Sequence, residues 1–498
     1  MAKTIIEAII EHSKANPNRI CLADGKCSIS YYELVSSIKK IGSYLYSKKI
    51  KSGDKVILQS SSTCQYMQIL LALQFIKAVV VPIDATASDD SLKSIIKAVS
   101  PSLMILNSNK NTGCDFCFCT VNDVCCSAMQ CQPIDAFCFP CKYDICEILF
   151  TTGTTGTHKG IMMTFDNNVA LSENVIHSTD MKDDNVELIF APLNHSHGLR
   201  RLYANLYKGT TVVLHSNIAF VSDVFYKIEK YNVNSFDFVP SALSILLKLG
   251  LEKFATYANR IRYIQFGGAS VKKNEIDLLK KYFPDTKLIN MYGSTESGIS
   301  IAHEYNNKGE DKVNCIGKPT FNSFIQIVDE NYQPIQSSKD NPGFIATKSR
   351  ANMKGYYSQD GDSISYDEYV NGTIYSNDLA YIDEDGDIIL LGRKGVVINT
   401  GGYKIVPQEI EQIALEYEKI DDCACIGIDD PTLGQAPVLF ITLKNSVNID
   451  MTELHSFFKS RLESYKIPKY IKAIDSIPRS PKGSVLYASL KEKEIDFL

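Results

Sequence analysis

The residues best suited to chemistry form a run of threonine and glycine that ends in a lysine. Residues 151–160 read Thr-Thr-Gly-Thr-Thr-Gly-Thr-His-Lys-Gly and follow the apolar segment 145–150. Small residues expose backbone amides, threonine hydroxyls donate hydrogen bonds, and lysine adds a positive charge. Such a loop is suited to binding the phosphates of a nucleotide.

Other interpretations of this loop are weaker but remain open at this point. A Walker loop requires glycine directly before the lysine and then serine or threonine, whereas here His158 precedes Lys159 and Gly160 follows it. The spacing of Gly153 and Gly156 does not match the dinucleotide-binding fingerprint. A P-loop kinase is therefore disfavoured, and a solvated turn remains the alternative.

Composition excludes several function classes. The 498 residues include 57 acidic and 52 basic side chains, with a formal charge of -5 and no basic block, so a nucleic-acid partner is not expected. The longest apolar run, residues 69–83, contains Gln74 and Lys77 and is too short to span a bilayer. We expect a soluble, cytoplasmic protein without a membrane span.

Fifteen cysteines are unusual for such a protein, and nine of them lie between Cys114 and Cys146. In the cytoplasm they are expected to be reduced thiols. The pairs Cys114/Cys117 and Cys138/Cys141 have a spacing that suits a four-thiolate zinc site. The alternative is that these cysteines are small, partly buried apolar residues, and the sequence leaves both open.

Helical and apolar-strand patterns alternate along most of the chain, which predicts an α/β fold of helix-covered, mainly parallel sheets. Helices are predicted at 31–47 and 64–75, and strands at 55–58, 79–83, 188–191, 211–214, 235–239 and 263–266. After about residue 320 the pattern changes to a β-rich subdomain with turn signals, including a hairpin turn at Asp383–Gly386.

A second domain is predicted near the C-terminus. Beyond Gly392-Arg-Lys-Gly395 the chain starts again with its own strand-helix-strand pattern. We predict a large N-terminal domain over residues 1–393 and a small, mobile α+β domain over 394–498, with a hinge near Lys394–Gly395. Glycine at this position permits a large backbone rotation.

Several motifs in order resemble the adenylate-forming superfamily, which includes acyl-CoA synthetases, adenylation domains and luciferases. The 151–160 loop is similar to the phosphate-binding loop of that superfamily, and the resemblance covers the whole chain. The other matching segments are Ser30–Leu34, Phe75–Asp84, Pro192–Leu199, Gly267–Ala269, Met291–Glu296, Ser376–Asp378, Gly392–Arg393 and Gly401–Glu411. The chain is closest to standalone acyl-CoA ligases.

The resemblance implies a two-step reaction. ATP and a carboxylic acid give an acyl-adenylate and pyrophosphate, and the acyl group then passes to a thiol. The preferred thiol is that of coenzyme A, because no carrier domain is attached, and a separate acyl or peptidyl carrier protein is the alternative. The cofactors implied are ATP, Mg2+ and coenzyme A or a carrier's phosphopantetheine.

Individual residues receive roles from the same resemblance. Lys159, Thr295 and Glu296 are the implied catalytic residues, with Thr295 at the α-phosphate and Glu296 holding Mg2+. The β- and γ-phosphates are assigned to Thr151, Thr152, Gly153, Thr154, Thr155, Gly156 and Lys159. The adenosine is assigned to Gly267, Gly268, Ala269, Tyr292, Gly293, Asp378 and Arg393. The acid and the pantetheine arm are assigned to His195, Gly268, Gly401 and Gly402.

The chain departs from the superfamily at one position that matters for catalysis. Ser484 stands where a lysine normally contacts the carboxylate and the α-phosphate. A neutral hydroxyl cannot replace an ammonium beside developing negative charge. We hypothesise that Lys482, two residues earlier, supplies the charge, and the alternative is a degenerate, non-catalytic nucleotide- or acyl-binding protein.

The identity of the acid is less constrained. No acidic side chain occurs from Leu188 to Val221, where amino-acid-activating relatives place an aspartate, so an acid without an α-amine is favoured. Arg200 and Arg201 are expected to lie on a solvated helix face, with a second acid group of the substrate as the alternative partner. His197 occupies a position that is commonly aromatic in the superfamily.

Overall fold

The computed structural model shows an α/β protein. It describes residues 2–108, 117–134, 139–152, 158–215, 220–268, 271–305, 312, 314–357, 369–393, 398–400, 403–444, 449–479 and 485–492. Two compact units contain these residues. The larger unit comprises Met1–Asp311, Ile316–Ile325 and Thr347–Tyr375, and the smaller comprises Lys312–Cys315, Gln326–Ala346 and Ser376–Leu498.

The helices are α1 (Ile5–Ala15), α2 (Tyr31–Ser47), α3 (Cys64–Phe75), α4 (Asp89–Val99), α5 (Val121–Ala128), α6 (Phe165–Thr179), α7 (Ser196–Lys208), α8 (Val221–Tyr231), α9 (Pro240–Ala255), α10 (Lys273–Tyr282), α11 (Pro407–Leu415), α12 (Met451–Lys459) and α13 (Tyr487–Glu492). The strands up to residue 304 are β1 (Ile20–Ala23), β2 (Ser28–Ser30), β3 (Lys55–Gln59), β4 (Val79–Ile83), β5 (Leu103–Leu106), β6 (Phe118–Thr120), β7 (Ile145–Thr152), β8 (His158–Thr164), β9 (Val186–Ile189), β10 (Thr211–Leu214), β11 (Ser235–Phe238), β12 (Tyr263–Gly267), β13 (Lys287–Ser294) and β14 (Gly298–Glu304). The later strands are β15 (Cys315–Pro319), β16 (Ser323–Val328), β17 (Gly343–Ser349), β18 (Gly355–Tyr356), β19 (Tyr369–Val370), β20 (Thr373–Ile382), β21 (Ile388–Arg393), β22 (Ile398–Thr400), β23 (Tyr403–Ile405), β24 (Ile420–Asp430), β25 (Gly434–Leu443) and β26 (Tyr470–Ala473).

Two sheets organise the larger unit. One has the strand order β18-β8-β7-β4-β3-β5-β6, and the other includes the order β14-β13-β12-β11-β9-β10-β1-β2. The pairs from β13 through β12, β11, β9 and β10 to β1 are all parallel. The predicted fold class, with helices covering mainly parallel sheets, is confirmed. No helix in the described part of the chain is long and apolar enough to cross a membrane.

Local signals set the positions of several helices. Ser30 and Glu33 form a reciprocal capping box at the start of α2, which satisfies amides that the first helical turn leaves unpaired. The α3 helix is apolar around nearly its whole circumference and lies in the core of the larger unit, where its ten buried residues pack against α2 and β4.

The smaller unit has its own sheet and core. Strands β23, β22, β25 and β24 lie in that order, and β26 pairs in parallel with β25. The predicted hairpin at Asp383–Gly386 is confirmed, since it joins the antiparallel strands β20 and β21 and Gly386 has a φ of 79°. The hinge residues Lys394 and Gly395 lie outside the described residues, so the boundary after residue 393 stays a prediction.

A buried polar layer lies between α7 and the parallel sheet. Arg201 is fully buried and donates a 2.8 Å hydrogen bond from Nε to Oε1 of Glu187. Tyr263 and Asn205 donate to the other carboxylate oxygen of Glu187. Burial disfavours the charge on Arg201, but Glu187, Tyr263 and Asp237 together outweigh this effect and hold the pKa of the guanidinium above its ordinary value.

This pair corrects one sequence-based expectation. Arg200 and Arg201 are both buried, so the prediction of a solvated helix face is wrong. Arg201 already has a carboxylate partner, Glu187, which lies one residue before the stretch 188–221 that contains no acidic side chain. Because the layer is closed to water, removing one charge leaves the other without compensation.

We predict that Arg201→Met destabilises the larger unit by about 3–5 kcal/mol, because Glu187 stays buried without its counter-charge. Urea denaturation followed by circular dichroism measures this loss. Lys253→Met is the control, since Lys253 and Glu229 form an exposed pair and should not shift the transition measurably. Equal effects of the two substitutions would contradict a stabilising role for the buried pair.

Candidate active site

The predicted phosphate-binding loop connects two antiparallel strands of the larger unit. Strands β7 and β8 pair with Thr151 opposite Lys159. Thr151 and Lys159 are both partly exposed at the end of this hairpin. The turn itself, Gly153, Thr154, Thr155, Gly156 and Thr157, lies outside the described residues.

Tyr356 connects Lys159 with the predicted magnesium ligand. The Lys159 Nζ lies 5.2 Å from the centre of the Tyr356 ring, a cation–π distance. The Tyr356 hydroxyl donates a 3.4 Å hydrogen bond to Oε1 of Glu296. The structure therefore brings together two predicted residues that are far apart in the sequence, and it does so through a tyrosine that sequence reasoning missed.

The position of Tyr356 is fixed by backbone pairing. Tyr356 on β18 lies opposite Ile161 on β8, and the Tyr357 amide donates a 2.7 Å hydrogen bond to the carbonyl of Gly160. The Met353 amide donates to the carbonyl of Glu296 at 2.7 Å. The segment 353–357 thus links the strand that carries Lys159 to the turn that carries Glu296. A two-residue strand gives no periodic signal, which explains why the sequence did not indicate it.

Thr295 and Glu296 lie in a tight turn between β13 and β14. The Ser294 and Ser297 hydroxyls accept hydrogen bonds from each other's backbone amides at 3.0 and 3.1 Å. A Cβ on Gly293 would lie 1.7 Å from the carbonyl oxygen of Gly298, so only glycine permits this close approach. The predicted nucleotide-binding position Gly293 therefore has a structural requirement of its own.

Arg200 holds this turn in place through hydrogen bonds to its backbone. It is buried, and one terminal nitrogen donates to the carbonyls of Ser294 at 2.8 Å and Thr295 at 3.1 Å. Burial lowers the pKa of the Arg200 guanidinium to about 10, against the opposing effect of the Glu296 and Glu147 carboxylates. Arg200 thus binds the turn and not solvent, which the sequence did not indicate.

The glycines of the predicted adenine and acid pocket end strand β12. A Cβ on Gly267 would lie 2.9 Å from the carbonyl oxygen of Met291, and Gly268 has a φ of 84° that favours glycine. Tyr292 is half-buried on the neighbouring strand β13. Ala269 lies outside the described residues.

His195 lies directly before α7 and His197 lies in its first turn, and the two side chains have different surroundings. His195 occupies the N-cap position, and its Nε2 lies 3.5 Å from Nδ2 of Asn194, which also donates to Asp84. His197 Nε2 lies 2.8 Å from Oδ1 of Asp237, a fully buried carboxylate. The sequence interpretation assigned no partner to His197, because Asp237 lies forty residues later on a different strand.

Two predicted ribose-binding residues lie together in the smaller unit. Asp378 on β20 and Arg393 on β21 are cross-strand partners, with Nε of Arg393 3.5 Å from Oδ1 of Asp378. The Asp378 amide donates to the Ser376 hydroxyl at 3.1 Å, so the serine that replaces the usual threonine contacts the backbone of Asp378 within β20. The pairing keeps a two-oxygen acceptor beside a cation.

The remaining predicted residues lie outside the described residues. They are Gly401, Gly402, Lys482 and Ser484. The side chain of Thr152 also lies outside the described part of the structure. The proposed zinc site is also untested, because Cys114 and Cys138 lie outside, while Cys117 and Cys141 are exposed.

The described residues contain one group of three clustered carboxylates, Asp383, Asp385 and Asp387. The Lys312 ammonium hydrogen-bonds to all three at 2.5, 2.8 and 2.7 Å. An internal cation therefore offsets part of the negative charge of this cluster. The single carboxylate Glu296 suits Mg2+ better, since this ion commonly takes one or two carboxylates plus substrate phosphates.

Comparisons with known proteins agree with this architecture. The sequence profile of the AMP-binding enzyme family matches residues 10–357, and that of the AMP-binding enzyme C-terminal domain matches residues 409–484. A 2-succinylbenzoate–CoA ligase of Staphylococcus epidermidis is 25% identical over 486 residues, which cover 98% of this chain and 97% of that protein. A 2-succinylbenzoate–CoA ligase of Bacillus pumilus is 30% identical over 353 residues, covering 70% and 68%.

A solved structure shows the same fold over nearly the whole chain. The o-succinylbenzoate CoA synthetase of Bacillus subtilis, in complex with its acyl-adenylate intermediate, superimposes with a TM-score of 0.86 at 23% identity and covers 97% of each chain. The comparisons do not support the non-catalytic alternative. The chain therefore belongs to the AMP-binding enzyme family, and it is an ATP- and Mg2+-dependent, AMP-forming acid–thiol ligase that activates a small carboxylic acid through an acyl-adenylate.

Proposed function

We propose that the acid is an aryl carboxylic acid and that coenzyme A accepts the acyl group. The observation that carries this proposal is the full-length similarity to 2-succinylbenzoate–CoA ligases, together with a similarity of 24% to a feruloyl-CoA synthase of Amycolatopsis. Both names describe aromatic acids joined to coenzyme A.

The adenylation half of the site is proposed to use the residues that surround Tyr356. Lys159 and the hydroxyls and amides of residues 151–156 bind the β- and γ-phosphates, and Thr295 contacts the α-phosphate. Glu296 supplies a carboxylate oxygen to Mg2+, an ion that neutralises the charge gathered during the reaction. The cation–π and hydrogen-bond contacts of Tyr356 support this assignment, because they hold the Lys159 ammonium and the Glu296 carboxylate near one ring.

The other roles are proposed on sequence similarity and local geometry. Asp378 accepts from the ribose hydroxyls beside Arg393, and Tyr292, Gly293 and Gly267–Ala269 frame the adenine. His195 and Gly268 border the acid. Gly401 and Gly402 line the entry of the pantetheine arm, and a hinge at Lys394–Gly395 joins domains 1–393 and 394–498.

A cytoplasmic location is part of the proposal. The thirteen cysteines among the described residues are all free thiols, which is typical of a reducing compartment.

The first prediction from the proposed function concerns the substrate. Incubation with ATP, Mg2+ and coenzyme A should release AMP and form a thioester with aryl acids, at a kcat/KM at least tenfold above that for aliphatic acids of equal size. A coupled AMP assay with mass spectrometry of the thioester measures both products. Preference for aliphatic acids would overturn the aryl assignment, and thioester formation only on an added carrier protein would overturn coenzyme A as acceptor.

A second prediction concerns Arg200 as a positioning residue. Arg200→Met preserves the apolar stem but removes the donors to the carbonyls of Ser294 and Thr295, so the turn loses its fixed position. We expect kcat of ATP–pyrophosphate exchange to fall by about 10–100-fold, the equivalent of one or two lost hydrogen bonds to a charged group. The KM for ATP should change much less, because the phosphate loop is untouched.

Two controls separate a positioning role of Arg200 from general destabilisation. One is the thermal unfolding of the Arg200→Met protein, and the other is the exchange rate of an Arg260→Met variant. Arg260 is a partly exposed arginine near the opposite edge of the same sheet. An unchanged kcat in a folded Arg200→Met protein would remove Arg200 from the positioning of the turn.

A third prediction concerns the missing lysine at Ser484. If Lys482 supplies the ammonium, Lys482→Ala should lower the rate of ATP–pyrophosphate exchange by about 100-fold or more, the scale of one lost electrostatic contact in the transition state. Thioester formation from a pre-formed acyl-adenylate should stay near the wild-type rate. Unchanged exchange would exclude Lys482, and Ser484→Lys is the matched variant that should then accelerate it.

A further inference from the structure

A buried glutamate lies on the strand that enters the predicted phosphate loop. Glu147 belongs to β7, whose pairing with β8 is regular from Glu147 to Thr151. Alternate side chains of a strand point to the same side, so Glu147, Leu149 and Thr151 share one face of the sheet. The core cluster that contains Leu149 also contains residues of α3, α6 and α7. A carboxylate in such surroundings is costly unless it has partners.

Side chains from three helices hold the Glu147 carboxylate. Tyr203 of α7 donates a 2.8 Å hydrogen bond to Oε2, and Asn168 of α6 donates a 3.1 Å hydrogen bond to Oε1. Gln74 of α3 donates to the Tyr203 hydroxyl at 2.9 Å and so orients it. These three side chains are buried. Each carboxylate oxygen of Glu147 therefore accepts one hydrogen bond within a connected polar network.

Arg200 is a cation that interacts with this carboxylate over a longer distance. Burial raises the pKa of Glu147, while its two hydrogen-bond donors and the charge of Arg200 act in the opposite direction. Burial lowers the pKa of Arg200 to about 10, and the carboxylates of Glu296 and Glu147 both oppose this decrease. One buried guanidinium thus has two carboxylates that compensate its charge.

The direct contacts of Arg200 go elsewhere. Within the described part of the chain, its hydrogen bonds are donated to the backbone carbonyls of Ser294 and Thr295. Its buried Nε has no hydrogen-bond partner among these residues. The guanidinium therefore holds the turn through the backbone, and its interaction with the two carboxylates is electrostatic.

This arrangement links Glu147 to the proposed magnesium ligand. A buried cation requires compensation by negative charge. Without the charge of Glu147, the compensation of Arg200 would fall more heavily on Glu296. A carboxylate that compensates one cation binds a second cation less strongly, because the two cations repel each other. Glu147 therefore affects how readily Glu296 binds a metal ion, although the two residues lie on different elements.

We propose that Glu147 is a positioning residue for adenylation that acts through Arg200. Its carboxylate compensates the guanidinium, so Arg200 holds the turn by its backbone while the charge of Glu296 stays available to Mg2+. This inference rests on the proposed function, since it takes Glu296 as the magnesium ligand. It adds a residue to which neither the motifs nor the resemblance assigned a role.

Calorimetric titration with ATP in the absence of an acid substrate tests the proposal without turnover. The measured quantity is the ratio of the ATP dissociation constants without and with Mg2+, which reports how much the ion strengthens nucleotide binding. Circular dichroism establishes that each variant is folded. Glu296→Gln provides the reference, since loss of the magnesium ligand should lower this ratio more than any other substitution.

Glu147→Gln keeps the size of the side chain and removes its charge. We expect the ratio to fall by about 5–20-fold, within the range of coupling between residues of one polar network. Metal-free ATP should bind at least as tightly as to the wild type, because a negative charge near its phosphates has been removed. Damage to the site would instead weaken ATP binding in both conditions.

Two further variants separate charge from packing. Glu147→Asp keeps the charge but shortens the side chain, so it should retain more of the ratio than Glu147→Gln, whereas a packing role predicts the opposite order. In an Arg200→Met background, Glu147→Gln should change the ratio by less than about twofold, because the residue through which it acts is missing.

Glu275→Gln is the matched control. Glu275 is a buried glutamate of α10 that accepts a hydrogen bond from Ser244, and it has no proposed role in the site. Its substitution should leave the ratio unchanged. Tyr203→Phe is the second variant if Glu147→Gln does not fold. It removes one donor to the carboxylate, which favours the neutral form, so the ratio should fall by about two- to fivefold.

The outcomes distinguish the two proposals. If Glu296→Gln keeps the wild-type ratio, the assignment of Glu296 to Mg2+ in the proposed function fails, and the inference fails with it. If Glu296→Gln lowers the ratio but Glu147→Gln does not, or Tyr203→Phe does not in its place, the proposed function stands and the inference about Glu147 is wrong. Equal effects of Glu147→Gln with and without Arg200, or weaker binding of metal-free ATP, would also overturn it.

Discussion

The buried Arg201–Glu187 pair is the interaction on which the site in the larger unit depends. Two charges removed from water are costly, and the structure offsets that cost by adding Tyr263 and Asn205 as donors to the same carboxylate. Satisfying these contacts leaves α7 one orientation on the sheet. In that orientation His197 contacts Asp237. The adjacent Arg200 points in another direction and donates to backbone carbonyls of the turn that carries Thr295 and Glu296.

A second constraint comes from backbone pairing at Tyr356. The short strand β18 adds to the edge of β8, close to Lys159, and the amide of Met353 binds the carbonyl of Glu296. Flexible side chains such as lysine lose rotamer freedom when they are held. A ring fixed by two backbone contacts restricts the Lys159 ammonium and the Glu296 carboxylate, and this is the preorganisation that their proposed roles require.

Sequence patterns predicted helices α2 and α3 well because each pattern consists of residues that are close together in the chain. The bounds predicted for α2 and α3 match those observed, and Ser30 and Glu33 form the cap of α2. The strand predicted at 188–191 lies two residues earlier, at Val186–Ile189, because Glu187 interrupts the apolar pattern of the sequence although it is buried. Glu187 is buried inside strand β9, and its counter-charge, Arg201, comes from helix α7. No local sequence pattern therefore predicts that this glutamate is buried.

The same limit applies to the site, where partners come from separate strands. Parallel strands are joined by crossovers, so residues that lie side by side in register are separated by tens of positions in the chain. Contacts between other elements are equally distant in the sequence: Asp237 on β11 contacts His197 on α7 across forty residues, and Tyr356 contacts Glu296 across sixty. Motifs identified Lys159, Thr295 and Glu296 because each lies within a recognisable segment. The residues between them are visible only in the structure, and α7 is the clearest case. Within two turns it brings His197 to Asp237, Arg200 to the turn that carries Thr295, and Arg201 to Glu187 in the core. Since one helix carries all three, the contact of His197 with Asp237 and the position of the turn that carries Thr295 and Glu296 are set by the same packing.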